Sequence, residues 1–353
     1  MTRLDEVTRP IASGAALAVL AALAFGFTTP IVERAGHELG PFSTAALLYA
    51  GAALSAVRPG GLGASNGVRP GRRHVVLLLA VAFFGAGLAP TLLAWGLQRT
   101  GGALGSLLLN LEAVFTVLLA WLIHREHVGG RVLLALLAMV SGGVLMTVDA
   151  AGLSLGRSLG GLAVLGATLA WAVDNTLTRG LAALDPVRVV GAKGALGAGL
   201  TGVSAVAMGE PLPGPGAATV LLLCGATGYG LSLRLYLLAQ RKIGAARTGS
   251  VFALAPFVGA VLAWALGDRL PGSGALVASA LFGLGVYLHL TERHGHLHPH
   301  PALSHEHAHR HDDGHHDHSH DPPVVGEHTH PHAHLGLEHT HEHGLDVHHD
   351  HPH

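Results

Sequence analysis

Glu112, Asp174, Lys193 and Arg234 are ionisable residues set inside long apolar runs, with Asn110 and Asn175 close by. Charges in such surroundings are costly. Where they occur they pair with one another, take up protons or hold a solute. Glu112 falls near the middle of its run, where a carboxyl group suits proton coupling or contact with a substrate. A hydrogen-bonded packing role is the plainer alternative. Asp174 and Asn175 lie about seven residues from one end of their run, Lys193 about six residues into the next, and Arg234 about five from the end of the one after. At ~1.5 Å per helical residue the three charges share a depth of about 8–10 Å. A shared depth predicts an ion-pair cluster facing the interior, serving as a polar site or gate. The alternative is that Lys193 and Arg234 reach outward along their stems, which the short side chain of Asp174 is unable to do.

A second set of candidates is metal-ligating. From His294 onward the chain holds 23 of its 28 histidines. They come in clusters: His305, His307 and His309; His315, His316, His318 and His320; His339, His341 and His343. Neutral imidazoles suit zinc, nickel, cobalt and copper. The residues between them are Pro, Gly, Asp and Glu, with no aromatics and few aliphatics, so this stretch is expected to be disordered. Several loose sites of moderate affinity follow, rather than one rigid one. The varied sequence is unlike an expression tag, but a passive metal or proton buffer would look the same. No other cofactor is called for. His124-Arg-Glu-His127 lacks the spacing that puts two zinc ligands on one helical face. Gly142-Gly143 has no strand–turn–helix context, and no Ser/His/Asp set can be assembled. The chain is therefore not expected to be an enzyme.

The elements that position these residues are membrane helices. Half of the residues are hydrophobic and only 12% are charged, against about 25% charged in soluble domains. A net charge of −1 gives no reason to expect a nucleic-acid partner. A bilayer needs about 20 mostly apolar residues per crossing helix. Ten segments fit: roughly Ile11–Val32, Phe42–Val57, Val75–Leu97, Gly102–Ile123, Val132–Val148, Leu159–Leu181, Val187–Met208, Ala218–Ala239, Ala245–Leu266 and Gly274–Leu290. Cys224, the one cysteine, lies in an apolar run and reads as packing.

The first 290 residues repeat themselves. Leu118–Ile123 (LLAWLI) returns as Val261–Leu266 (VLAWAL) 143 positions later, and Pro41 and Pro186 open matching segments 145 apart. Lys193 aligns with Leu48 and Arg234 with Thr91, so these charges belong to the second half alone. With a cytoplasmic N-terminus, fourteen Lys and Arg fall in inside loops and four (Arg34, Arg99, Arg157, Arg269) in outside loops. Basic residues favour the cytoplasmic side, so both termini are expected there. Five helices per repeat is odd, which makes the repeats inverted. Repeats of this kind are common in secondary transporters, whose sites lie between them.

The run from Ala94 to Ser106 (AWGLQRTGGALGS) leads into the fourth segment, and Leu254-Ala-Pro-Phe-Val258 lies in the ninth. Each of these segments ends near an acidic residue, Glu126 or Asp268. With these stretches, in this order and repeated, the chain resembles the EamA-type members of the drug/metabolite transporter superfamily over about residues 11–290. It departs from their pattern at Ala113, which stands where the second repeat has Pro256. The resemblance implies transport of a small metabolite.

The expectation is an all-α polytopic protein of the cytoplasmic (inner) membrane. Residues 1–148 and 149–290 form two inverted five-helix repeats, and 291–353 a disordered cytoplasmic tail. Its partners would be the lipid bilayer and a small-molecule or ion substrate. Secondary transport of a metabolite, with export favoured over import, is the leading function, and a divalent metal is one candidate cargo. A membrane-anchored metal sensor or store that transports nothing is the alternative.

Overall fold

The computed structural model of the chain describes residues 3–57, 71–124, 128–151, 155–181, 184–243, 245–269, 274–290, 294–300, 303–309, 328–334 and 337–343. It divides into two compact units, residues 1–292 with 345–353, and residues 293–344.

The first unit is helical. In chain order it contains α1 (Arg3–Ala35), α2 (Pro41–Ser55), α3 (Arg72–Val81), α4 (Ala89–Thr100), α5 (Gly102–Leu108), α6 (Leu111–His124) and α7 (Gly130–Ala151). It continues with α8 (Leu155–Thr178), α9 (Pro186–Ala207), α10 (Pro215–Cys224), α11 (Ser232–Ile243), α12 (Ala245–Phe252), α13 (Ala255–Ala265) and α14 (Gly274–Leu290). π-Helical turns, Ala82–Leu88 and Gly225–Leu231, join α3 to α4 and α10 to α11. Helix thus falls at each position the sequence predicts. Among the described residues, six helical stretches are long and apolar enough to cross a bilayer: Ser13–Ala35, Arg72–Thr100, Gly102–Ile123, Leu155–Thr178, Val187–Ala207 and Pro215–Gln240. Shorter apolar helices occur at Gly130–Met146, Ala255–Ala265 and Gly274–Leu288. The outer surface suits lipid, with Leu20, Leu54, Leu122, Leu134, Val203, Leu223 and Leu276 all exposed.

Local geometry repeats as the sequence does. The two π-helical turns begin 143 positions apart. The fourth predicted segment is broken at Leu109–Asn110, between α5 and α6, and the ninth at Ala253–Leu254, between α12 and α13. Both had been expected as continuous helices. Pro256 accounts for the second break, because it has no N–H to give the preceding turn. The first break forms without proline, through tight turns in which Asn110 N donates to Leu107 O and Glu112 N to Leu109 O.

Packing follows the same pattern. α2 lies against the second π-helical turn, and α9 against the first. α1 packs on α13 as α8 packs on α6, while α2 meets α9 and α7 meets α14. Glycine makes the closest of these contacts possible. A Cβ on Gly225 would lie 1.9 Å from the Leu48 carbonyl oxygen, so no other residue lets α2 come so near.

The second unit holds four extended segments: β1 (His294–His300), β2 (Leu303–His309), β3 (His328–His334) and β4 (Leu337–His343). β1 pairs antiparallel with β4, and β2 with β3. In register, His294 stands opposite His343, and His305 opposite His332. Alternation of His with other residues has the two-residue period of a strand. His315, His316, His318 and His320 lie outside the described residues.

Candidate functional site

The interior of the helical unit carries a connected polar cluster built mainly on α8. Asp174 sits on the buried face of α8 and is 4% exposed; Lys193, on α9, is 8% exposed. The Lys193 ammonium donates to Asp174 Oδ2 and forms an ion pair with it. The predicted pairing of Asp174 with Lys193 is therefore present. Arg234 is not part of it. It lies exposed on α11, lining a small pocket with Ser55, Ala56, Val187, Val190 and Gly230. Its long stem lets the guanidinium reach away from the core.

The first π-helical turn closes over this pair. A Cβ on Gly85 would come within 2.2 Å of Asp174 Oδ2, so the carboxylate rests directly on the glycine. The wider π turn directs the Gly85 carbonyl inward, where two donors meet it: the Tyr49 hydroxyl, and Trp171 Nε1 at 3.1 Å. A buried phenol or indole needs such a partner. The matching Gly228, 143 positions on, faces neutral Thr28 instead. The charged contact is therefore confined to one half of the repeat.

Glu112 lies not in mid-helix, as expected, but in the first turn of α6, just past the break. A carboxylate is favoured there by the helix dipole. Its Oε1 accepts from Asn175 Nδ2 at 2.8 Å, which joins α6 to α8. Asn175 is exposed, yet it stands one turn beyond buried Trp171, on the opposite side of α8 from the lipid-facing row Leu155, Leu159, Leu162 and Leu169. It therefore faces interior space rather than lipid. Asn110 is 4% exposed; its Nδ2 donates to Leu107 O at 2.9 Å. Asn110 Oδ1 and, one turn earlier, Ser106 Oγ are buried without a protein partner.

Aromatic rings complete the cluster. Phe25 meets Tyr229 and Phe252 at 5.6 Å each and Trp171 at 6.3 Å, and Phe252 meets Tyr236 at 5.1 Å. The signal available was their scarcity: aromatics make up 5% of the chain, and Tyr49, Tyr229 and Tyr236 all fall in apolar runs.

Polar contacts gather at one end of the bundle, most of them joining residues of the first 148 to residues beyond 200. Glu210, just past α9, accepts from the backbone N–H of Phe42 (3.1 Å) and Ser43 (2.7 Å), capping α2. Asp268, just past α13, accepts from Gly102 N (2.9 Å) and Ala103 N (3.3 Å), capping α5. Arg34 reaches Leu266 O at 2.5 Å and lies 3.7 Å from Asp268. Gln98 donates to Gly36 O and Leu39 O. Gly101, at φ 80°, supplies the left-handed turn that brings α5 beneath Asp268.

No cluster of three His, Cys, Asp or Glu side chains suited to a metal occurs among the described residues. Their side chains do not include those of the histidine-rich tail.

A membrane helical bundle with broken helices and a buried ionic cluster is the architecture of a solute transporter. The chain belongs to the EamA-like transporter family, which matches it twice, over residues 12–148 and 158–291. A protein of Methanothermobacter thermautotrophicus described as an uncharacterized transporter is 28% identical over 204 residues. The alignment covers 55% of this chain and 58% of that relative. A solved crystal structure shares the fold at a TM-score of 0.58 and 19% identity, covering 79% of this chain and 97% of the other.

Proposed function

We propose that this chain is a proton-coupled secondary transporter that carries a small solute between its two halves, with export favoured over import. The observation that carries this reading is the Glu112–Asn175 pair. It places a titratable group beside a helix break, on interior space, at the meeting of α6 and α8. Half-helix ends of this kind are where transporters hold their cargo and coupling ions. Asp174, Lys193, Tyr49 and Trp171 form the polar wall behind it.

The ten-crossing, inverted arrangement with both termini in the cytoplasm is part of the proposal, supported by the recurrence of breaks and π turns at near-constant spacing. In that orientation Glu210 and Asp268 lie at the outer end, where their bonds to α2 and α5 would restrain opening to the outside.

A second reading concerns the tail. Its histidines favour binding of zinc, nickel, cobalt or copper on the cytoplasmic side, as a collector for a metal exporter or as a sensor or store.

The test is flux into vesicles holding the purified full-length protein, with and without a pH gradient. The panel compares amino acids, amines, other metabolites and divalent metals. Accumulation of one class that follows the gradient supports the reading. No flux of any class, in protein shown to be folded, overturns transport.

A further inference from the structure

We propose that the two ladders of the tail are two separate sites for a divalent transition-metal ion, each drawing its imidazoles from both of its strands. This rests on the reading of the tail above as metal-binding and names the positions that do it. The register carries the proposal. In the β1–β4 ladder His294 stands opposite His343, His296 opposite His341 and His298 opposite His339. In the β2–β3 ladder His305 stands opposite His332, His307 opposite His330 and His309 opposite His328. A slip of one residue in either direction would set each of these histidines against Glu, Thr, Gly, Pro or Ala instead. The pairing that forms is thus the one that matches histidine with histidine three times over in each ladder.

Spacing then decides what such pairs do. The matched positions are two residues apart along every strand, so within a ladder all six lie on one face. Residues directly opposite in an antiparallel pair have Cβ atoms about 4.5–5.5 Å apart, and the next pair on that face follows at roughly 7 Å. An ion with metal–nitrogen bonds of about 2.0–2.1 Å is within reach of imidazoles rooted on both strands at that spacing. Neutral nitrogen ligands select zinc, nickel, cobalt or copper over magnesium or calcium, which take oxygen. An ion held in this way also ties its two strands together, so that binding and pairing stabilise each other. A loose run of histidines behaves differently. It loses capacity in proportion to the number removed, wherever they are taken from.

Calorimetry with zinc on the full-length protein in detergent, at about pH 7.5 where imidazole is neutral, separates the two. A variant with His294→Ala, His296→Ala and His298→Ala should bind one ion fewer than the wild type. Adding His339→Ala, His341→Ala and His343→Ala strips the other strand of the same ladder and should cost nothing more. Adding His328→Ala, His330→Ala and His332→Ala instead strikes the second ladder and should remove a second ion. Both combinations lack six histidines, so only the pairing distinguishes them. Equal losses from the two combinations overturn the ladder sites and leave the tail's metal binding standing. No zinc bound by the wild-type chain overturns the metal-binding reading itself.

Discussion

The Lys193 ammonium is bonded to the Asp174 carboxylate, and both side chains are almost fully buried. Removing one member of a buried pair strands the other charge, at a cost of about 3–5 kcal/mol. Asp174→Asn and Lys193→Met should each lower thermal stability in detergent by about that much. The double substitution should recover much of the loss. A double variant no better than the sum of the singles would show that the pair contributes nothing as a pair.

Gly85 is the surface on which that carboxylate rests. Gly85→Ala places a methyl group 2.2 Å from Asp174 Oδ2 in a helix held from both sides. Overpacking of this kind costs about 1–3 kcal/mol. Gly283→Ala, where nothing lies within 4 Å, serves as the control and should be neutral. Equal melting temperatures for the two variants would contradict the contact.

Glu210 and Asp268 cap α2 and α5 from distant parts of the chain. Glu210→Ala and Asp268→Ala each remove two backbone hydrogen bonds, and losing a cap costs about 0.5–2 kcal/mol. Together they should favour opening at the end of the bundle where the caps lie. In a Cys224→Ser background, a cysteine at Ser43, itself 7% exposed, should react faster with an impermeant thiol reagent once both caps are gone. Unchanged labelling would mean that the caps do not restrain opening.

The positions of the helices were legible in the sequence because a bilayer demands long apolar runs, whatever fills them. The Asp174–Lys193 pair was legible from depth alone. Depth did not place Arg234, because it gives no rotation about the helix axis. Segments that are apolar all round leave that rotation unmarked. The π turns were hidden for a related reason: they arise where Gly85 and Gly228 meet other helices, not from a local signal. Glu210, and the capping contact of Asp268, were not legible because their partners lie more than 160 residues away in the chain.

The tail predicts a separable metal function. Deleting residues 294–353 should leave the helical unit folded and remove most nickel or zinc binding. In the intact protein that binding should fade as pH falls through about 6.5, where free imidazole takes a proton and ceases to be a ligand. Calorimetry with zinc on the intact and shortened chains measures both. Equal binding by the two would move the metal site into the helices.

Topology is tested by reporter fusions. Fusions after residues 66 and 245 should read cytoplasmic, and those after 38 and 212 external. Both pairs reading the same side would defeat the inverted ten-helix arrangement.

Glu112 carries the central claim, and one comparison reaches it directly. Vesicles containing the wild-type protein or Glu112→Gln are assayed for accumulation driven by a pH gradient and for solute exchange at equal pH. Amide and carboxylic acid are nearly the same shape, so the substitution removes the titratable proton and little else. Gradient-driven accumulation should be lost while folding, judged by melting temperature, is kept. A variant that accumulates solute with the wild-type dependence on the gradient would make Glu112 a structural residue and contradict the account.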